Sequence, residues 1–211
     1  MRIYPNREEA GQSLGQALRK YADQPDVLVL ALPRGGVPVA RIVAESLHAP
    51  LDVVLVRKLG VPWDPELAFG AIAEGDARVV DEYAVRALGI RPEQIERVVS
   101  AEQVELARRA SAFRGDRPPA DVKNRTILVV DDGLATGSTM LAAVRALRQR
   151  GAGKIVVAVP VGPPYTCAML AREADEVLCL DQPEPFEAVG AWYADFRQVT
   201  DDEVRALLPP K

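Results

Sequence analysis

Few of the residues used in metal centres, redox sites and histidine-based catalysis occur in this sequence. Its 211 residues include one histidine, His48, and two cysteines, Cys167 and Cys179. A catalytic triad or a metal site built on histidine is therefore nearly excluded. The two cysteines match no zinc or redox spacing, so we interpret them as small buried apolar side chains. The sequence around His48 favours a position at the end of a helix.

Long apolar runs, a basic composition and a signal sequence are also missing. No apolar run approaches the roughly 20 residues that cross a bilayer, and the amino-terminal segment lacks the apolar core of a signal peptide. We therefore expect a cytoplasmic protein with no membrane partner. A net charge of −4 and a pI near 5.2 disfavour a nucleic-acid partner. The chain is 48% apolar and 27% charged, which is typical of one globular domain with a buried core, with or without a small appendage.

Short apolar runs alternate with helical patterns along most of the chain. Such runs, bounded by Gly and Pro, predict strands that are buried on both faces. The predicted strands cover 27–32, 53–56, 126–130, 154–159 and 176–180, and the predicted helices 7–22, 37–48, 92–114, 138–150, 165–173 and 201–208. This order predicts an α/β fold with an open, mainly parallel five-stranded sheet and helices on both faces. Ligands of such sheets bind beyond the carboxyl ends of the strands.

A segment rich in Gly and Pro, 59–90, interrupts this alternation. Strand-like pieces at 68–73 and 78–82 predict a β-ribbon, and an excursion this long is usually functional. We interpret Glu66 and Glu74 as solvated loop carboxylates, although either one could contact a metal or an acceptor. We predict a core over 1–180, with a flexible loop over about 59–82, and a small carboxy-terminal hood over 181–211.

The most informative segment runs from a buried strand into two carboxylates and a loop of small residues. Asp131 and Asp132 follow the strand, and Gly137 precedes a helix start, where N–H groups and hydroxyls can surround a phosphate. The segment has neither the Lys of an NTPase loop nor the glycine pattern of a dinucleotide site. Carboxylates repel a phosphate, so two of them beside a phosphate loop indicate another role. Two hydrogen-bond acceptors a few ångströms from a phosphate suit the vicinal hydroxyls of a ribose 5-phosphate.

Residues 127–139 resemble the phosphoribosyl pyrophosphate (PRPP) motif of the type I phosphoribosyltransferases. The strand, the paired acids and the Thr-Gly-Ser-Thr ending carry the resemblance, whose topology extends over about 25–180. Segments 32–36, 56–60 and 66–71 and the aromatic tail are most similar to a group of predicted bacterial phosphoribosyltransferases of unassigned acceptor. The resemblance implies that PRPP is bound by Asp131, Asp132, Gly133, Leu134, Ala135, Thr136, Gly137, Ser138 and Thr139.

The resemblance also assigns the side of the site that holds the leaving group. The implied pyrophosphate loop, with a cis peptide between its first two residues, consists of Pro33, Arg34, Gly35 and Gly36. Arg57 and Lys58 end the second predicted strand and should face the same crevice. We predict that Arg34, Arg57 and Lys58 are catalytic, because cations there stabilise the charge on departing pyrophosphate. A tight strand–helix turn and a solvated basic pair are the alternatives.

The acceptor side is less clearly marked. Phe186, Trp192 and Tyr193, together with Phe196, cluster near the carboxyl end, and flat bases stack well on such side chains. We predict that the first three bind the acceptor, with a packed carboxy-terminal subcore as the alternative. The 6-oxopurine enzymes of the family carry an acidic residue where this loop has Ala135, which argues against hypoxanthine or guanine.

These observations predict an enzyme that displaces pyrophosphate from PRPP with a nitrogen acceptor, and a nucleobase is the expected acceptor. Mg²⁺ is the expected cofactor, held mainly by PRPP and water rather than by protein ligands. The family resemblance favours a homodimer. A PRPP-sensing binding protein and a general sugar-phosphate binder are the alternatives, and retention of Arg34, Arg57 and Lys58 favours the enzyme.

Overall fold

The part of the chain that the structure describes contains eight strands arranged in two sheets. The computed structural model describes residues 3–75 and 77–209, without the side chain of Glu66, so the prediction for Glu66 lies outside the described part. The strands are β1 (Val27–Ala31), β2 (Leu51–Val53), β3 (Val56–Val61), β4 (Asp64–Ala73), β5 (Ala77–Val80), β6 (Thr126–Val130), β7 (Lys154–Val161) and β8 (Glu176–Asp181). The main sheet has five parallel strands in the order β2-β1-β6-β7-β8, which confirms the predicted α/β architecture.

Helices cover both faces of the main sheet. They are α1 (Arg7–Ala17), α2 (Gly36–Leu47), α3 (Glu82–Leu88), α4 (Pro92–Arg114), α5 (Ser138–Gln149), α6 (Pro164–Leu170) and α7 (Asp201–Leu207). Side chains alternate between the faces of a strand. Val27 and Val29 of β1 therefore pack with α1, α2 and α4, whereas Leu28 and Leu30 pack with α5 and α6. Both groups are buried, as the continuous apolar run of β1 predicted.

Local signals in the sequence mark several helix ends correctly. The side chain of Asn6 accepts a hydrogen bond from the Glu9 N–H at 2.9 Å and so caps the amino-terminal end of α1. His48 follows the last residue of α2 with a φ of +52°, which confirms its place at a helix end. Its Nδ1 lies 2.9 Å from Asp23 Oδ1. Cys167 is buried and Cys179 half-buried, both in the apolar layer beneath α5 and α6.

The second strand and the following excursion differ from the prediction. The strand predicted at 53–56 ends at Val53, and Val56 instead begins the three-stranded antiparallel sheet β3-β4-β5. Val56 pairs with Ala73 of β4, a partner 17 residues ahead that no local pattern specifies. Arg57 and Lys58 therefore lie within the second sheet rather than at the end of a core strand. The sequence reading also missed α3, whose first N–H groups are capped by Asp81.

Residues near the two ends of the chain pack together. The Tyr4 N–H donates to the Trp192 carbonyl and the Ala194 N–H to the Tyr4 carbonyl, each at 2.8 Å. Helix α7 packs on α2 and α4. The division of the chain at residue 180 stays a prediction. Among residues 3–75 and 77–209, no helix combines the length and apolar character that a membrane crossing requires.

A buried ion cluster fastens the second sheet to the core. The Arg114 side chain, only 2% exposed, donates from Nε to Asp52 Oδ1 at 2.9 Å and from Nη1 to Glu74 Oε1 at 2.6 Å. Its Nη2 also donates to the Val53 carbonyl at 3.1 Å. The interpretation of Glu74 as a solvated loop carboxylate is therefore wrong. The guanidinium joins β2, the end of β4 and the end of α4.

Replacing Arg114 should destabilise the whole domain. Arg114→Met leaves two carboxylates without their cation in a buried place, and the expected loss in free energy of unfolding is about 3–5 kcal/mol. Urea unfolding measures it. Arg108→Met is the matched control, because Arg108 lies on the same helix and pairs with Glu105 in solvent. Equal unfolding midpoints for the two variants would contradict this role of Arg114.

Candidate active site

Two loops start side by side at the carboxyl edge of the main sheet. Strands β1 and β6 are parallel neighbours, and Ala31 pairs with Val130 at their carboxyl ends. The Leu32 N–H donates to the Val130 carbonyl at 2.9 Å, which keeps the pairing intact up to both loops. The sheet therefore brings the predicted pyrophosphate loop, 33–36, against the predicted PRPP loop, 131–139.

The backbone conformation of the PRPP loop requires glycine at one position. Gly137 has a φ of +74°, and a Cβ there would lie 2.5 Å from Thr166 Cγ2. Thr166 itself is buried and donates from Oγ1 to the Ala135 carbonyl at 2.8 Å. The buried side chain of Leu134 anchors the other end of the loop in the core. The exposed hydroxyls, those of Thr136, Ser138 and Thr139, lie at the start of α5.

The glycines of the pyrophosphate loop pack directly on the acid pair. A Cβ on Gly35 would lie 2.1 Å from Asp132 Oδ2, and one on Gly36 would lie 2.7 Å from the Val130 carbonyl oxygen. Both positions therefore require glycine for steric reasons. The peptide between Pro33 and Arg34 is cis, as the resemblance implied.

Burial makes the ionised form of the two carboxyls, Asp131 and Asp132, unfavourable. The pKa of Asp131 is raised well above its usual value by burial and by the neighbouring Asp132 carboxylate. Burial also raises the pKa of Asp132, against the opposing charge and hydrogen bond of Arg7. The Asp132 N–H donates to Asp131 Oδ1 at 2.8 Å and partly offsets the cost for Asp131.

The three predicted catalytic cations occupy different positions. Arg57 and Lys58 line a cleft of about 740 Å³ together with Pro33 and the hydroxyl residues of the PRPP loop. Arg57 Nε donates to Glu102 Oε2 at 2.6 Å, and Lys58 is exposed. The Arg34 side chain is 38% exposed, and its Nη1 lies 3.4 Å from Asp201 Oδ1 of α7, which is long for a hydrogen bond.

Helix α4 supplies a wall of the cleft that the sequence reading did not assign to the site. Val98, Ala101, Glu102 and Arg109 line it. Glu102 and Arg109 are seven residues apart and so share a helix face, which was the available signal. Arg7, which binds Asp132, was missed as well. Its partner is 125 residues away, and no local pattern marks it.

The aromatic residues of the tail form a small packed core. Trp192 and Tyr193 are 7% and 6% exposed and pack with Tyr4, and Phe186 stacks on Trp192 with ring centroids 6.2 Å apart. The Tyr193 hydroxyl donates to the Asp132 carbonyl at 2.6 Å. The packing matches the subcore alternative, and acceptor binding by these residues stays a prediction.

Comparison with known proteins assigns the family. Residues 3–190 match the phosphoribosyl transferase domain family. The chain belongs to this family. A Mycobacterium tuberculosis protein that carries the provisional name phosphoribosyl transferase is 48% identical over 208 residues, which cover 99% of this chain and 47% of that protein. This phosphoribosyl transferase domain thus spans about half the length of the curated relatives it matches.

Two further relatives of this phosphoribosyl transferase domain are informative. The crystal structure of the protein TT1426 from Thermus thermophilus has 44% identity and a TM-score of 0.89, and the match covers 99% of this chain and 98% of that one. A uracil phosphoribosyltransferase from Nocardioides is 42% identical over 60 residues, or 28% of each chain. The first relative shares the entire fold, and the second shares one segment.

The raised pKa of Asp131 should make the stability of the fold depend on pH. A carboxyl with a raised folded pKa contributes stability below its unfolded pKa, and the contribution is lost as pH rises through the folded value. Asp131→Asn should therefore increase the free energy of unfolding at pH 8, and the difference from the unsubstituted protein should shrink toward pH 4. Urea unfolding across this range measures it, with the exposed Glu187→Gln as control. Lower stability of Asp131→Asn at pH 8 would contradict the prediction.

Proposed function

We propose that this protein transfers the 5-phosphoribosyl group of PRPP to a nitrogen acceptor, with a nucleobase as the acceptor class, and releases pyrophosphate. The observation that carries the proposal is the meeting of three groups at one sheet edge. These are an acid pair, a loop of hydroxyls at a helix start, and a cleft lined by cations. The Mycobacterium and Thermus relatives support it at the level of the family and the fold.

The PRPP loop and the acid pair would hold the ribose 5-phosphate. Hydroxyls of Thr136, Ser138 and Thr139 and N–H groups at the start of α5 donate to the 5-phosphate. Asp131 and Asp132 accept hydrogen bonds from the two ribose hydroxyls. Because a carboxylate accepts more strongly than a carboxylic acid, this contact favours the ionised form of the pair.

The cations would act on the leaving group. The bond between the anomeric carbon and pyrophosphate breaks as the acceptor nitrogen attacks that carbon, and the bonding electrons leave with pyrophosphate. Arg57 and Lys58 in the cleft and Arg34 beside it meet this growing charge, which is stronger in the transition state than in PRPP. Arg57 is held by Glu102, so its guanidinium is oriented before the ligand arrives.

Magnesium would enter with the substrate. In the described part of the chain, no group of three or more His, Cys, Asp or Glu residues is placed to hold a metal ion. Mg²⁺ usually keeps several waters and binds substrate phosphates. We therefore propose that PRPP oxygens and water hold it, where it neutralises charge on pyrophosphate.

The acceptor screen should begin with uracil and adenine. The Nocardioides relative is named for uracil. Ala135 stands where the 6-oxopurine enzymes carry their acid, and the Ala-Thr-Gly run at 135–137 resembles the adenine enzymes.

Calorimetric titration of PRPP, with and without Mg²⁺, is the decisive first measurement. We expect saturable binding that Mg²⁺ strengthens and that Asp131→Asn combined with Asp132→Asn weakens by about tenfold or more, since each hydrogen bond to a charged group is worth roughly 1.5–3 kcal/mol. Glu187→Gln serves as the control. A folded protein that binds no PRPP would refute the proposal. Binding without pyrophosphate release in the presence of any base would favour the PRPP sensor.

Arg57 should distinguish PRPP from ribose 5-phosphate. Arg57→Met should lower PRPP affinity about tenfold, from a lost charged hydrogen bond of roughly 1.5–3 kcal/mol, while ribose 5-phosphate affinity stays unchanged. Arg78→Met is the matched control, because Arg78 pairs with Glu96 outside this cleft. The double variant Arg57→Met/Glu102→Gln removes the carboxylate that would otherwise repel pyrophosphate. An equal loss for both ligands would contradict a role on the leaving-group side.

A further inference from the structure

Arg7, at the first position of α1, reaches across the molecule to the acid pair. Its Nε donates to Asp132 Oδ2 at 2.8 Å, and the two side chains are only 10% and 12% exposed. An ion pair this well buried is costly to form, and the loss of one partner strongly destabilises the fold. The contact joins the amino-terminal helix to the proposed ribose site.

The carboxy-terminal tail holds the guanidinium in place. Arg7 Nη1 donates to the Arg197 carbonyl at 2.9 Å, and the Arg7 Cζ atom lies 4.1 Å from the centroid of the Phe196 ring. The Tyr193 hydroxyl donates to the Asp132 carbonyl at 2.6 Å, so the tail also contacts the backbone of the residue that Arg7 binds. A guanidinium that lies against a ring and donates to two acceptors has little freedom to reorient.

Among the described residues, Arg7 is a cation that compensates the charge of the acid pair. The described ionisable groups that act on the pair include the two carboxyls themselves, Arg7 from α1 and Tyr193 from the tail. From the β1–α2 loop, the groups packed against the acids are the backbones of Gly35 and Gly36. Arg7 opposes the rise in pKa of both carboxyls, and for Asp132 it does so through a direct hydrogen bond as well.

We propose that Arg7 is a positioning residue that orients Asp132 and keeps the acid pair ionised for ribose binding. The proposal rests on the proposed function, because it assumes that the pair receives the ribose hydroxyls. It assigns a task in the site to the segment around 193–197, which lies beyond the 3–190 match to the family. Both ends of the chain then support one ligand contact.

Three variants separate this role from plain stabilisation. Arg7→Met removes the charge and the donors, Arg7→Lys keeps the charge without the guanidinium fork, and Arg108→Met is the matched control. The Arg108 side chain is 59% exposed and pairs with Glu105 on the same helix. Calorimetry then measures the dissociation constant for Mg-PRPP between pH 6.5 and pH 9, because a structural role alone would not give a new pH profile.

We expect Arg7→Met to weaken PRPP binding about tenfold or more at pH 7, since an opposite charge at contact distance shifts a carboxyl pKa by about 1–3 units. The loss should diminish as pH rises to 9, because more of the pair is then ionised. Arg7→Lys should recover part of the loss at pH 7. Arg108→Met should retain the profile of the unsubstituted protein.

The outcomes are distinguishable from failure of the proposed function. If the unsubstituted protein binds no PRPP, the proposed function falls and this inference with it. If it binds PRPP and Arg7→Met shows an equal loss at every pH, or none, the role of Arg7 alone is overturned. Should Arg7→Met fail to fold, Arg7→Lys decides, together with a carbon-13 NMR titration of the Asp131 and Asp132 carboxyls. An unchanged titration and unchanged affinity in Arg7→Lys would reject the proposal, since losing the fork should disturb both.

Discussion

Two adjacent carboxylates at the end of β6, Asp132 buried and Asp131 half-buried, are the constraint that the rest of the site satisfies. Burial disfavours both charges, and the Asp132 carboxylate further disfavours the charge of Asp131. The surroundings offset this with the Asp132 N–H and with the guanidinium of Arg7. The close approach of the pyrophosphate loop is possible only because Gly35 and Gly36 have no side chains. A protein keeps such a costly arrangement where the charges have a task.

The parallel pairing of β1 with β6 converts this local feature into a site. It places the loops 33–36 and 131–139, which we propose bind the two anionic ends of PRPP, next to each other at one edge of the sheet. The second sheet then brings Arg57 and Lys58 over the same edge, and α4 closes the far wall of the cleft. The Arg114 cluster fastens this second sheet to the core. The cations in the cleft thus depend for their position on a buried ion cluster that does not itself line the cleft.

Features encoded over short distances were readable from the sequence. The apolar run of β1 and the capping residue Asn6 marked their elements well, because burial on both faces and capping are local in sequence. The succession of strand, acid pair, small residues and helix around Gly137 indicated a phosphate loop for the same reason. The opposite case is β3, whose pairing with β4 overrode the apolar run at 53–56.

The sequence by itself determined the class of sheet, the place of the loop at 131–139 and the chemistry that the residues of this loop can offer. Tertiary structure decided which side chains meet there. It buried Glu74 against Arg114, enclosed Trp192 and Tyr193 in a small core, and brought Arg7 to Asp132. These contacts join residues tens to more than a hundred positions apart. Their formation depends on how whole elements pack, and hydrophobic periodicity describes only which face of an element is buried, not what lies opposite it.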